Sequence, residues 1–190
     1  MVYTIAAFID DVKDVLADDG PSEVGLARIA ERMSAFARDP EVPADTSEPA
    51  GNIHTERRGS GGGPLHLDET GLTLVRARFG PEAMTPVHNH GSWGVVGVYA
   101  GRDRYQVWRR VDDGTGAGAA RVELVEERIL EPGDAIALPP PPQDIHAQQG
   151  LDGEAAYEFV LFGSYDAMTK PRLYFDPAAD TAEEVLPGRR

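Results

Sequence analysis

Apolar residues recur every three or four positions at the start of the chain: Ile5, Phe8, Ile9, Val12, Val15 and Leu16. That spacing puts them on one helical face and predicts an amphipathic helix over residues 3–17. "DDGPSE" interrupts the pattern, and Ser22 can cap a second helix with Pro21 just before it. Val24, Leu26, Ile29, Met33 and Phe36 carry the second stripe through residues 23–37. Two such stripes make a helical hairpin over residues 1–38. Its apolar face needs cover, so it is expected to pack on the main domain as a lid or buttress.

Residues 39–63 lose all periodicity and end in "GSGGG". This Pro- and Gly-rich loop is long for a compact domain, which points to mobility or function. From residue 64 the period changes to two. "LHLD" and "LTLVRARF" flank a turn, followed by "WGVVGVYAG", "DRYQVWRRV", "RVELVEERIL", "DAIALP" and "AAYEFVLFG". Turn signals such as "AGRD", "DDGTGAGA" and "EPGD" separate them. Strands with turns at this spacing predict a mainly β sandwich or barrel over residues 64–190. The tail beyond about residue 166 shows little periodicity.

Composition narrows the chemistry. The 190 residues suit one domain with a small appendage, and 41% hydrophobic content supports a real core. The formal net charge of −14 argues against nucleic acid or an anionic membrane as partner. No apolar run approaches the roughly 18 residues of a membrane span. The N-terminus is acidic and lacks the basic start of a signal peptide, so the expected location is cytoplasmic. The chain has no cysteine, which excludes disulfides, thiolate nucleophiles and thiolate-held metal. A metal must therefore sit on His, Asp or Glu.

Only five histidines are present, and "PVHNHG" places His88 and His90 one residue apart. On a strand both would point to the same face. A third, His146, follows "EPGDAIALPPPPQDI". Brought from a neighbouring strand, it would complete a facial triad that leaves coordination positions open.

These residues resemble the cupin superfamily. Its first motif reads H-x-H, a short spacer, Glu, six residues and Gly; here His88 and His90 are followed by "GSW", Gly94, "VVGVYA" and Gly101. Its second motif reads here as Gly133, "DAIAL", Pro139, "PPPQDI" and His146. The Glu position is Gly94. Three histidines without a carboxylate look like the cysteine dioxygenase-like group and its predicted metal-dependent double-stranded β-helix relatives. The resemblance covers residues 64–165 and implies a jelly-roll barrel, Fe(II), dioxygen and a small thiol substrate. Zinc or manganese suits the same donors. The runner-up is a non-redox metal-dependent cupin: an isomerase, a hydrolase or a small-ligand sensor.

The sequence departs from that group in its substrate contacts. The family's Ser-His-Tyr set falls on Glu158, Val160 and Phe162, and none is retained. The family's carboxylate-binding arginine would fall near Gly62, so Arg57 and Arg58 are the replacements, either clamping a carboxylate or merely solubilising the loop. Val75, Ala77 and Phe79 share one strand face, expected to line the barrel, with Arg76 and Arg78 on the surface side. Phe79, Val160 and Phe162 are thus expected to wall an apolar substrate cavity. Trp93 either joins them or fills the core. Tyr105 and Tyr157 are the phenols able to hydrogen-bond oxygen or substrate as catalytic groups. The oligomeric state is left open.

Overall fold

The computed structural model describes residues 3–39, 42 and 64–186. Two helices come first, α1 (Ile5–Asp19) and α2 (Glu23–Arg38). Thr4 caps α1, its hydroxyl accepting from Ala7 N at 3.1 Å. Ser22 caps α2 in the same way, accepting from Gly25 N at 3.1 Å. Then follow β1 (His66–Leu67), β2 (Thr73–Phe79), β3 (Val87–His88), β4 (Gly94–Ala100), β5 (Asp103–Arg110) and β6 (Gly118–Ala119). The chain continues through β7 (Val122–Leu130), β8 (Ala135–Leu138), β9 (Ile145–Gly150), β10 (Ala156–Phe162), α3 (Asp166–Thr169), β11 (Arg172–Asp176) and β12 (Thr181–Val185).

The strands form two antiparallel sheets, in the order β1-β2-β10-β4-β8 and β6-β12-β11-β3-β9-β5-β7. Facing each other, they make a double-stranded β-helix, a jelly-roll barrel carrying the N-terminal helix pair. Strand alternation divides the apolar residues between its faces. Val75, Ala77 and Phe79 of β2, Val96 and Val98 of β4, and Val160 and Phe162 of β10 pack together between the sheets. Their neighbours Leu74, Val95, Phe159 and Leu161 point outward and are covered by the helices. Arg76 and Arg78, on that outward face of β2, are half-buried rather than fully exposed.

Aromatic packing ties helix to barrel. The Phe8 and Phe36 rings stack at 4.6 Å, and Phe36 meets Phe159 at 4.8 Å. Burying each such ring is worth about 1.5–3 kcal/mol. Close approach of α2 requires Gly97 on β4, where an added Cβ would lie 2.5 Å from Met33 Cγ.

Two expectations are corrected here. The strand carrying the H-x-H pair ends at His88, so His90 lies in the turn after it. The aperiodic tail contains α3, β11 and β12, because β11 is covered on both faces and has no polar side to show in its pattern.

Candidate metal centre

The barrel register brings the three histidines together. His88 and His146 are directly opposite across β3 and β9, and Tyr174 of β11 is opposite His88 on its other side. His90 arrives from the turn, where Gly91 takes φ +67°. Asp144 fixes that turn, its Oδ2 accepting from His90 N at 2.9 Å and Gly91 N at 2.6 Å. All three imidazoles are buried.

The Nε2 atoms converge. His88 and His90 are 3.1 Å apart, His90 and His146 2.9 Å, and His88 and His146 3.2 Å. The opposite ring nitrogens of two of them are held. His88 Nδ1 lies 2.8 Å from the Pro86 carbonyl, which can only accept, so this ring carries its proton on Nδ1 and leaves Nε2 as a lone pair. His146 Nδ1 lies 2.7 Å from the Tyr105 hydroxyl. Burial, and secondarily the charge of Arg172, keep His146 neutral by pulling its pKa down to about 3.

Three imidazole nitrogens converging from three directions form a donor set that fits a metal ion. Three protein donors would leave part of a bound ion's coordination sphere to other ligands.

Among the described residues no carboxylate joins this set. A Cβ on Gly94 would lie 2.9 Å from the Leu161 carbonyl and 3.4 Å from the Phe162 ring. Phe162 itself packs on His90, with ring centroids 4.7 Å apart. A side chain at position 94 would thus press first on the Leu161 carbonyl and then lie against the Phe162 ring.

The remaining residues singled out in the sequence are distributed unevenly. Val160 and Phe162 do face the interior, and Phe162 walls the triad. Phe79 also faces inward but pairs with Ala156, whereas Phe162 pairs with Thr73. It therefore sits at the opposite end of β2 from the histidines and does not wall the site. Tyr157 has the wrong parity. It lies on the outward face of β10 with Phe159, in the cluster under the helices. Trp93 packs against that same cluster and over Gly163. Neither reaches the histidines. Tyr105 is buried inside, but it touches a histidine rather than open space, which makes it a positioning residue. Arg57 and Arg58 lie outside the described residues.

Sequence reasoning missed two groups beside the triad. Asp144 was signalled only by standing two residues before His146. Arg172 lay in the tail that seemed patternless. Its side chain is 1% exposed, and its Nε and Nη2 donate to the Ala167 carbonyl of α3, the former at 3.1 Å. Nη1 has no partner of good hydrogen-bond geometry among the described residues. Burial lowers its pKa to about 10, while nearby Tyr174 favours the charged form. A cleft of about 220 Å³ between Gly91, Thr115, Pro171 and Glu184 reaches Arg172. No helix among the described residues is long and apolar enough to cross a membrane.

No family model matches the chain. Its structural neighbours include proteins described as cupins. An oxalate oxidase bound to the substrate analogue glycolate is 22% identical over 50% of this chain and 43% of its own, with a TM-score of 0.39. A cupin-like protein of Thermotoga maritima is 19% identical over 60% of this chain and 73% of its own, with a TM-score of 0.39. The Cnp3 cupin domain of Schizosaccharomyces pombe is 9% identical over 54% of this chain and 59% of its own, with a TM-score of 0.41. The match thus spans less than half of the oxalate oxidase chain.

Proposed function

We infer that the chain is a mononuclear non-haem Fe(II) dioxygenase of the three-histidine type, resembling the cysteine dioxygenase-like group. Its substrate is a small organic acid, such as a thiol carrying a carboxylate. The observation that carries this reading is the donor set: three buried imidazoles whose Nε2 atoms lie 2.9–3.2 Å apart, with no carboxylate joining them among the described residues. When bound, the metal supplies open positions for substrate and dioxygen and the electrons that activate oxygen.

The chain's own residues supply the rest. Pro86 and Tyr105 orient two of the rings, and Asp144 orients the backbone of the third. Phe162 excludes water from one side. Arg172 is a buried cation without a carboxylate partner among the described residues, an arrangement that is expensive until an anion arrives. It takes the role expected of Arg57 and Arg58, presenting a guanidinium beside the triad for a substrate carboxylate.

The test is oxygen uptake by the iron-loaded protein across paired thiols and diketones, each with and without a carboxylate. Uptake with a carboxylated member is expected. Arg172→Met should raise its KM by about tenfold or more and leave the uncharged analogue unchanged. Bound iron with no uptake across the panel would hand the site to the non-redox reading.

A further inference from the structure

One interior layer beyond His146 lies a polar cluster that the metal reading does not use. β9 presents His146 and then Gln148 inward, while β5 presents Val107, Tyr105 and Asp103. The register pairs Val107 with His146 and Tyr105 with Gln148. From the facing sheet, β10 contributes Glu158, whose cross-strand partners Ala77 and Val98 are apolar. Asp103 and Glu158 are both fully buried. A single amide nitrogen serves them: Gln148 Nε2 donates to Asp103 Oδ2 at 3.1 Å and to Glu158 Oε2 at 2.9 Å. Asp103 Oδ1 also accepts from Gln149 N at 3.0 Å. Glu158 Oε1 has no partner among the described residues.

Two carboxylates this close in an apolar interior cannot both ionise. The extra backbone bond makes Asp103 the better anion, so Glu158 is the acid of the pair. Burial raises both, and the charge of Asp103 raises Glu158 further. The other ionisable groups facing the pair are Tyr105, held neutral by burial and by these two acids, and His146 beyond it, with Arg172 the cation near His146. The cluster therefore carries one negative charge. It lies behind Tyr105, whose hydroxyl touches His146.

We propose that Asp103 and Glu158 hold one shared proton and act, behind Tyr105, as the buried counter-charge of the three-histidine centre, replacing the carboxylate ligand that Gly94 cannot supply. Three neutral imidazoles bring no negative charge to a divalent cation, and Arg172 adds a positive one. A charge one layer away offsets both while leaving the coordination positions open. The two acids are positioning and tuning residues, not catalytic ones. The counter-charge rests on the metal reading; the shared proton does not.

The experiment has two readouts, neither of them activity. Infrared spectra of the metal-free full chain at neutral pH should contain a protonated-carboxyl band that disappears in Glu158→Gln. Zinc affinity, measured by competition with a chromophoric chelator, should follow charge rather than mere substitution. Glu158→Gln keeps the net charge and should stay within about twofold of wild type. Asp103→Asn leaves Glu158 free to take up the charge, so only removal of both acids neutralises the cluster: Asp103→Asn/Glu158→Gln should lose on the order of tenfold. Asp103→Leu/Glu158→Leu serves in its place if the amide pair does not fold. Absence of the band, or a neutralised cluster binding zinc as tightly as wild type, overturns the proposal. If wild type binds neither zinc nor iron(II), the metal reading fails and the counter-charge with it, and the band still reports on the shared proton.

Discussion

Replacing Tyr105 with Phe tests how the histidine centre is held. The substitution removes one oxygen and leaves the ring packing in place. That oxygen is the partner of His146 Nδ1 at 2.7 Å, and both residues are buried. Phe cannot replace the bond, so a buried ring nitrogen loses its partner. In the metal-free protein that costs about 1–3 kcal/mol of stability. The effect on metal binding is separate. Loss of a partner that orients a ligating imidazole lowers metal affinity by about 10–100-fold. In free energy that is about 1.4–2.8 kcal/mol. The assay is competition for zinc or anaerobic iron(II) against a chromophoric chelator, alongside denaturant unfolding of the metal-free chain. Tyr157→Phe is the matched control, because Tyr157 lies on the helix-covered side of β10. Tyr105→Phe should weaken metal binding and Tyr157→Phe should not. Equal effects from the two, or unchanged affinity in Tyr105→Phe, would refute the positioning argument.

Two further outcomes test the fold and its titration. Gly97→Ala forces a methyl into Met33 and should destabilise the chain by about 1–3 kcal/mol in denaturant unfolding; the same substitution made in a Met33→Ala background should cost much less, and a neutral Gly97→Ala would show that α2 does not seat closely on β4. The pH dependence of stability has opposed contributions, two of which come from Glu158 and His146. Glu158 keeps its proton in the folded chain but ionises from its ordinary value of 4.5 when unfolded, so its contribution falls as pH rises above that value. His146 takes a proton near 6.5 when unfolded but not until about 3 when folded, so its contribution falls as pH drops below 6.5. Glu158→Gln should lessen the loss on the alkaline side, where Asp103, raised to about 6 by burial, still contributes, and should keep the acid one; chemical denaturation across pH 5–8 would contradict this if the alkaline-side slope were as steep as in wild type.

Much of the fold was legible because single elements announce themselves. The helix stripes ending in Phe36 and the Ser22 cap are local signals, and both helices form within two residues of their expected limits. The alternation of Val75, Ala77 and Phe79 likewise gave the inward face of β2. β11 was hidden for a physical reason. It turns Arg172 and Tyr174 inward and Leu173 and Phe175 outward, where Phe175 joins a second apolar cluster. With both faces covered, polar and apolar no longer mark outside and inside. Tyr157 is a different kind of miss, since parity was available: if Val160 and Phe162 face inward on β10, an odd-numbered tyrosine faces away.

The centre divides along the same line. The three histidines were legible because each lies beside a turn written in Pro and Gly, and such turns carry their own spacing. What supports them was not, because it depends on register between strands distant in sequence. Asp103 and Glu158 meet only through Gln148, and Tyr105 reaches His146 only because β5 and β9 pair as they do. Glu158, set against the cysteine dioxygenase-like pattern, looked like the loss of a serine. Gly94 looked like the loss of a ligand. In the barrel the two departures meet on paired strands: a side chain at position 94 would meet the Leu161 carbonyl of β10, and Glu158 of the same strand joins Asp103 in the pair proposed to carry one negative charge, one layer deeper. A departure from a motif is therefore best weighed with the other departures on the elements it touches, because burial forces charge and volume removed at one position to be balanced at its neighbours.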